Sequence, residues 1–278
     1  MISAYYGWNY QSVILLDNTM KITDVYPNST DGHGTYRGEV NIKFDGTMIV
    51  QEVYGHKFDI YKQSSSMAND NLYGKKMWCN GDSIMAGAKG KSFAHQIAME
   101  HAMNYTNTAV SGTTLAKQDG KTNSILERMN ITDSDDYNFV LIEGGYNDYF
   151  KKISLGELTD TYTDTFDDYT VIGATESICK YCKTNFKKTK VLFVLGHRAS
   201  EIGKVEKTFD FYWDAIESAL NKWSIPYVDI RKEGKLAAFD NTWLLTYFGS
   251  GETMGTHPNT LGYKMFYVPS VESKLQSL

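Results

Sequence analysis

From about Lys75 to the end of the chain, short apolar runs alternate with amphipathic stretches of helical period. The apolar runs are MWCNG, YTNTAV, NFVLIEG, VLFVLGH and IPYVDI. Between them lie helix candidates such as SFAHQIAMEHAM, whose Phe93, Ile97 and Ala98 share one face. Strands that alternate with helices are parallel and joined by right-handed crossovers, and near-continuous apolar strands indicate helices on both faces. The sequence therefore predicts a three-layer α/β/α domain with a five-stranded parallel sheet over residues 71–278.

Residues 1–70 have a different pattern and are predicted to form a small β-rich accessory domain. QSVILLD and MKITDVYP are rich in branched residues, NIKF and TMIVQEV flank the hairpin signal Asp45-Gly46, and KFDIYKQ is a further strand candidate. The polar segment SSSMANDN, residues 64–71, is typical of a linker. Association of several copies through this β segment is compatible with the pattern.

Composition and charge exclude several classes of partner. The chain of 278 residues has a formal net charge of −5 and no run of like charges, which argues against nucleic acid or an anionic membrane surface as a partner. No apolar segment approaches the roughly 18 residues that cross a bilayer. The first residues, MISAYYGWNYQSVILLDN, lack the basic start and apolar core of a signal peptide. Extracellular or virion-associated action remains compatible with the sequence.

The three cysteines give no disulfide framework. Cys179 and Cys182 have CxxC spacing, but they lie in the helix candidate ATESICKYCKTNFKK, and no second Cys or His pair has the spacing of a zinc site. We therefore expect Cys79, Cys179 and Cys182 to be structural thiols, and we expect neither a metal nor a cofactor.

Four residues fall where a parallel α/β sheet places its sites, beyond the carboxyl ends of the strands. Ser83 follows the first strand, Gly112 the second and Asn147 the third, while His257 lies in a loop before the last helix. Each alone is an ordinary turn, cap or surface residue. It is their order along the chain that points to a common site.

Together these residues resemble the GDSL or SGNH hydrolase family, whose blocks are named for Ser, Gly, Asn and His. The matching segments are Gly81-Asp82-Ser83 with Gly87, then Gly112, then Gly145-Tyr146-Asn147-Asp148, and finally His257-Pro258-Asn259 with Gly262. The resemblance spans residues 77 to 262 and leaves the first 70 residues unexplained. It implies a flavodoxin-like SGNH-hydrolase fold and a serine esterase that needs no cofactor.

The resemblance also implies a role for each residue. Ser83 is the expected nucleophile, exposed where a strand turns into a helix, and His257 the base that takes its proton and returns it to the leaving alcohol. The expected oxyanion hole consists of the Ser83 N–H, the Gly112 N–H and the Asn147 side-chain amide. One such donor contributes roughly 3 kcal/mol to transition-state stabilisation.

The sequence departs from the family at the residue that orients the histidine. The family has Asp three residues before its His, where this chain has Met254. Three alternatives remain: a backbone carbonyl accepts the Nδ1 hydrogen of His257, or Glu252 takes the place of the aspartate, or the enzyme is crippled. The carbonyl is the preferred interpretation, and it predicts that Glu252→Gln leaves turnover within a few-fold, whereas a loss of about a hundredfold would make Glu252 the third member.

Other residues near these motifs have structural interpretations beside functional ones. Asp82 and Asp148 are expected to brace their loops through hydrogen bonds. His197, at the end of the fourth strand, is expected to be a supporting or surface residue rather than a pocket residue. Tyr146 and Tyr149 either pack in the core or form a wall against a sugar ring.

The leading functional hypothesis is removal of a small acyl group, acetyl, from a carbohydrate ester. Hydrolysis of lipid or other acyl esters is an alternative within the same chemistry. A rival from another class is a catalytically weakened carbohydrate-binding or structural module of a phage or cell-surface assembly, with Met254 as the first sign of decay. Survival of Ser83, Gly112, Asn147 and His257 together favours the enzyme.

Overall fold

The computed structural model describes residues 70–130, 136–163, 165–204, 207–234, 236 and 238–278, together with three strands before residue 70. Contacts between residues divide the chain into two units, Met1–Asn69 and Asp70–Leu278.

The described part of the first unit is a three-stranded antiparallel sheet. Its strands are β1 (Ser12–Leu16), β2 (Ile22–Tyr26) and β3 (Thr47–Gln51). They lie in the order β2-β1-β3, with an irregularity in β1 between Leu15 and Leu16. All three fall within predicted strand segments. The NIKF half of the predicted hairpin, the strand KFDIYKQ and most of the predicted linker lie outside the described residues.

The second unit contains the predicted five-stranded parallel sheet. Its strands are β4 (Lys76–Asn80), β5 (Asn104–Asn107), β6 (Phe139–Glu143), β7 (Lys190–Leu195) and β8 (Tyr227–Asp229). They lie in the order β5-β4-β6-β7-β8, and every neighbouring pair is parallel. The fold class predicted from the sequence is confirmed. All five residues of β6 are buried, as expected for a central strand covered on both faces.

Helices cover this sheet in two groups. The helices are α1 (Ser83–Ala86), α2 (Phe93–Glu100), α3 (Tyr146–Phe150), α4 (Val171–Asn185), α5 (Lys207–Lys222), α6 (Asn241–Tyr247), α7 (Thr260–Phe266) and α8 (Val268–Ser277). Helices α4 and α5 pack on each other, whereas α2, α7 and α8 form a second group. Because the crossovers leave β4 and β6 in opposite directions, right-handed connections place these groups on opposite faces. No helix in the described ranges is both long and apolar enough to span a membrane.

Aromatic side chains fill the core on both faces. Phe93 of α2 stacks on Tyr267, which lies between α7 and α8, with ring centroids 5.2 Å apart. On α5, Phe209 stacks on Trp213 with centroids 3.8 Å apart. The last helix is interrupted at Tyr267 ahead of Pro269, as the proline predicts.

The cysteines are packing residues in this structure. Cys79, Cys179 and Cys182 are all buried and free, and burial raises the pKa of each thiol. A thiol that stays protonated is neither a good metal ligand nor a reactive nucleophile. The CxxC spacing therefore reflects the buried face of α4.

The order of the strands reverses at β4, which places a crevice at one end of the sheet. The chain passes from β4 outward to β5 and then returns to the other side of β4 as β6. The loops that follow β4 and β6 leave this point in opposite directions, and open α/β sheets bind ligands at such a switch point.

The turn after β4 requires a glycine at position 81. A Cβ there would lie 2.6 Å from the Met85 Cβ and 2.8 Å from the Glu143 carbonyl oxygen, distances that real Cβ atoms essentially never show. We predict that Gly81→Ala lowers the free energy of unfolding by about 1–3 kcal/mol, as overpacking of a tight core does. Urea denaturation measures this difference.

Gly203→Ala is the matched control for that substitution. Unlike Gly81, Gly203 has a left-handed backbone, at φ +69°, and a Cβ there meets no atom within 4 Å. Its cost is the strain of a non-glycine residue at positive φ, about 1 kcal/mol. Equal unfolding midpoints for Gly81→Ala and wild type would contradict the packing argument.

Candidate active site

Ser83 lies at the first position of α1, directly beyond the end of β4. The helix begins there because the Asp82 side chain caps it, accepting a hydrogen bond from the Ile84 N–H at 2.9 Å. The helix ends after one turn at Gly87, whose backbone is left-handed at φ +77°. The Ser83 N–H is one of the first amides of this helix, which have no partner within it.

The structure brings Ser83 and His257 together. The Ser83 Oγ lies 2.9 Å from Nε2 of His257, across 174 residues of sequence. His257 is placed by the start of α7, where the Asn259 side chain caps the helix by accepting from the Gly262 N–H at 2.9 Å. The Asn259 backbone N–H also donates to the Tyr247 carbonyl at 2.7 Å, which ties the loop to α6.

Glu252, rather than a backbone carbonyl, faces the other nitrogen of His257. Its Oε1 lies 3.1 Å from Nδ1, and its Oε2 accepts from the Thr256 N–H at 3.3 Å. The preferred expectation of a carbonyl partner was therefore wrong, and the structure supports the Glu252 alternative. With Nδ1–H donating to this carboxylate, Nε2 is left as the acceptor for the Ser83 hydroxyl.

The backbone path explains how a residue five positions upstream can reach the histidine. Gly249, Gly251 and Gly255 all have positive φ, at +96°, +83° and +56°. These three left-handed glycines let the backbone fold back on itself, so that the Glu252 side chain points toward Nδ1 of His257. Glycine is the residue that adopts such turns without steric cost.

Gly112 lies in the loop after β5 with its backbone open to solvent. Its φ is +81°, and a Cβ would meet no atom within 4 Å. Its carbonyl accepts a hydrogen bond from the Lys151 ammonium at 2.7 Å, which fixes the loop against the end of α3. Glycine is needed here for the left-handed backbone rather than for space.

Asn147 lies on α3 beside the nucleophile, but its amide hydrogens are engaged. Its Nδ2 donates to Asp82 Oδ2 at 3.0 Å and to the Thr113 carbonyl at 2.9 Å. A side-chain amide has two N–H groups, so both have protein acceptors in this structure. Asn147 stays a predicted oxyanion donor, and in this structure a buried carboxylate and a loop carbonyl accept its two hydrogens. In this state Asn147 links the nucleophile turn to the Gly112 loop.

Comparison with known families identifies the chain. Residues 79–265 match the GDSL-like Lipase/Acylhydrolase family, over more than half of the sequence. The chain belongs to this family. Membership supports an ester hydrolase as the coarse function.

Solved structures share the fold of this GDSL family member at low identity. A protein from Lactobacillus plantarum has a TM-score of 0.59 and 19% identity, covering 74% of this chain and 97% of that one. A protein described as a GDSL-like lipase, from Bacteroides ovatus, has a TM-score of 0.53 and 15% identity, covering 73% and 99%. LAE5, an alpha/beta hydrolase from the Lake Arreo metagenome, has a TM-score of 0.52 and 14% identity, covering 74% of this chain and 97% of that one. Comparison with curated proteins gives no match.

A buried pair of carboxyl groups, Asp82 and Glu143, lies beneath the nucleophile of this GDSL family member. Both side chains are fully buried. Glu143 Oε2 accepts from the Met85 N–H at 3.2 Å, whereas Oε1 has no donor among the described residues. Burial, and then the adjacent Asp82 carboxylate, raise the pKa of Glu143 well above its ordinary value. Burial and the neighbouring carboxylate therefore both favour the protonated form of Glu143.

The sequence analysis did not single out Glu143, although a signal was present. It is the last residue of the apolar strand β6 and the only charged residue in FVLIE. A charged residue at that position either lies in solvent at the end of the strand or is buried at the site. The two glycines that follow Glu143 allow the buried position.

Asp148 braces the second loop, as expected. Its carboxylate accepts from the Leu115 N–H at 2.8 Å and from the Ala116 N–H at 3.1 Å. Burial raises its pKa to about 6. Tyr146 is buried between Phe209 and Trp213, so it is a packing residue and not a wall against a sugar.

His197 supports the histidine loop from the end of β7. It is fully buried, and burial lowers its pKa to about 4, so the ring is neutral. Its Nε2–H donates to the Gly255 carbonyl at 2.7 Å, and its Nδ1 accepts from the Tyr267 hydroxyl at 2.5 Å. The expected supporting role agrees with this arrangement, while a surface position does not.

A polar cavity of about 200 Å³ opens beside Gly112. Every residue that lines it is a glycine or carries a hydroxyl, amide or ammonium group: Ser111, Gly112, Thr113, Thr114, Gln118, Lys121, Asn123, Ser124 and Lys151.

The raised pKa of Glu143 predicts a pH dependence of stability. The folded pKa lies above the ordinary value of 4.5, so the folded state binds the proton more tightly and stability falls as pH rises through and above that value. Glu143→Gln mimics the protonated acid and should remove up to about 1.4 kcal/mol of this fall per pH unit. Urea unfolding between about pH 5 and pH 8 measures the difference between variant and wild type.

Glu143→Ala is the control, because it removes the buried carboxyl group and leaves a cavity. It should destabilise the protein at every pH. If Glu143→Gln followed the same pH dependence as wild type, Glu143 would be ionised in the folded protein.

Proposed function

We propose that this protein is a serine esterase that removes a small acyl group, acetyl, from carbohydrate esters through an acyl-enzyme on Ser83. The observation that carries the proposal is the continuous chain from Ser83 Oγ to His257 Nε2 at 2.9 Å and from His257 Nδ1 to Glu252 at 3.1 Å. A hydroxyl becomes a useful nucleophile when a base held by a third group takes its proton.

In the proposed first step, Ser83 Oγ attacks the ester carbonyl carbon while its proton passes to Nε2 of His257. The carbonyl π bond breaks and its electrons become a negative charge on oxygen. The backbone N–H groups of Ser83 and Gly112 are the donors for this oxyanion, since the amide of Asn147 is engaged. Each such donor lowers the barrier by roughly 3 kcal/mol. Glu252 stabilises the imidazolium that forms.

Collapse of the intermediate breaks the bond to the alcohol oxygen, which takes the proton from His257 and leaves as a neutral alcohol. Ser83 then carries the acyl group as an ester. Water attacks this ester with His257 again accepting the proton, and the acid is released as Ser83 regains its hydrogen. The same imidazole serves as base and acid in both halves.

The residues that line the cavity beside Gly112 favour a substrate with a small acyl group and a hydroxylated alcohol. Its walls offer no apolar side chain, so a long hydrocarbon chain would gain no burial there. Hydroxyl and amide walls instead suit the hydrogen-bonding groups of a sugar. The contact between Glu252 and His257 supports an active enzyme rather than a decayed one, because it provides a carboxylate at the histidine despite Met254.

The first functional prediction concerns Glu252. Glu252→Gln keeps the size of the side chain but removes the charge that stabilises the imidazolium. We expect kcat for p-nitrophenyl acetate to fall by about 100-fold or more, with KM nearly unchanged. Steady-state kinetics measures both, and Met254→Leu serves as a neighbouring control with near wild-type kcat. Turnover within a few-fold of wild type would remove Glu252 from the mechanism.

The second functional prediction concerns the nucleophile and the acyl length. Ser83→Ala should lower acetate release from p-nitrophenyl acetate by at least about 1,000-fold. Wild type should cleave the acetyl ester faster than the octanoyl ester, and should release acetate from acetylated oligosaccharides. Equal rates for wild type and Ser83→Ala would refute the esterase, whereas preference for the octanoyl ester would refute the small acyl group.

A further inference from the structure

The polar cavity beside Gly112 contains two ammonium groups, those of Lys121 and Lys151. Lys151 is held in place, because its Nζ donates to the Gly112 carbonyl at 2.7 Å. Gly112 is also the proposed oxyanion donor. A ligand in this cavity would therefore lie next to the reacting ester.

The two ammonium groups have no anionic partner in the described part of the chain. The ion pairs formed there by lysines involve other positions. Burial and the nearby charge of Lys121 both lower the pKa of Lys151. Asp82 and Asp148 attract Lys151 from a distance, but their oxygens accept hydrogen bonds from buried amides. Lys121 and Lys151 are both exposed residues, and a bound anion would reduce the repulsion between their two charges.

The other residues that line the cavity indicate which kind of molecule contains the anionic group. Gln118 and Asn123 contribute amide groups that both donate and accept hydrogen bonds. At about 200 Å³ the cavity is smaller than the sites of drug-sized ligands, which start at about 300 Å³. One hydroxylated ring with one charged group matches this size and this chemistry.

We propose that this cavity binds a carboxylate of the substrate, so that the enzyme deacetylates acidic carbohydrates that contain uronic acid units. This rests on the proposed esterase function and specifies its substrate class. The charged group would pair with Lys121 and Lys151 while the acetyl ester lies at Ser83.

A matched pair of substrates tests the proposal. An O-acetylated methyl glucuronoside and its uronate methyl ester have the same ring and acetyl group and differ by one charge. We expect wild type to have a kcat/KM about tenfold higher for the free acid, as one charge-assisted hydrogen bond provides. Lys121→Gln should bring the ratio of the two kcat/KM values close to one, mainly through KM of the acid. Raising the salt from about 50 mM to about 500 mM should also lower the ratio in wild type.

Lys152→Gln is the matched control, because it removes a lysine charge beside Lys151 from a residue that does not line the cavity. Lys152 is exposed and already has positive φ, so glutamine adds no backbone strain. We expect Lys152→Gln to have the same ratio of kcat/KM for the free acid to kcat/KM for the methyl ester as wild type.

The outcomes separate this proposal from the one on which it rests. If wild type releases acetate from the uronate methyl ester as fast as from the free acid, the proposed carboxylate subsite is wrong while the esterase proposal stands. If neither sugar is cleaved and p-nitrophenyl acetate gives equal rates with Ser83→Ala, the esterase itself is wrong. If an acetylated sugar sulfate or phosphate is cleaved faster than the uronate, the assignment to a carboxylate is overturned.

Discussion

The contact between the Ser83 hydroxyl and the His257 imidazole, 2.9 Å long, depends on two distant parts of the chain meeting at one edge of the sheet. One side of the histidine loop packs on the turn at Gly90, where an added Cβ would lie only 2.5 Å from the Thr260 nitrogen. The other side is held by His197, which lies just beyond the end of β7 and donates to the carbonyl of Gly255, two residues before His257. The loop is thus clamped between the first and fourth strands of the parallel sheet, and the geometry of the site follows from strand order.

Burying Asp82 beneath the nucleophile costs desolvation energy, which the surrounding groups offset. The raised pKa of Glu143 disfavours a second negative charge in the pair, and the amides of Ile84 and Asn147 donate to Asp82. The nearby His257 also favours the ionised form of Asp82 and acts to lower its pKa against the larger effect of burial. A charge held in this way attracts the imidazolium formed in the proposed reaction, so the residue that caps α1 also contributes to the electrostatics of catalysis.

The parts of this protein that depend on local sequence pattern could be predicted, and those that depend on loop paths could not. Apolar runs predict β4, β6, β7 and β8, whereas β5 is a polar and largely exposed edge strand. Pro269 predicts where the last helix breaks. The partner of His257 depends instead on the positive φ angles of Gly249, Gly251 and Gly255, which no periodicity reveals, so the sequence favours a backbone carbonyl over Glu252. The sequence does not predict Glu143 as a site residue, because a carboxylate at the end of an apolar strand can be either solvent-exposed or buried. Only the packed structure shows that Glu143 is buried.

The fold alone does not decide what such a site accepts, because one fold can carry many functions and the residues of the site decide between them. In this chain Lys151 connects the wall to the chemistry: its ammonium group lines the polar cavity and also holds the carbonyl of Gly112. A substrate anion drawn to that ammonium group would be bound through the same residue that fixes the oxyanion loop. Binding energy from a non-reacting part of the substrate can then be used to order the donors that act in the transition state. A charged subsite at this position would therefore affect turnover as well as affinity, which a charge on a distant surface would not.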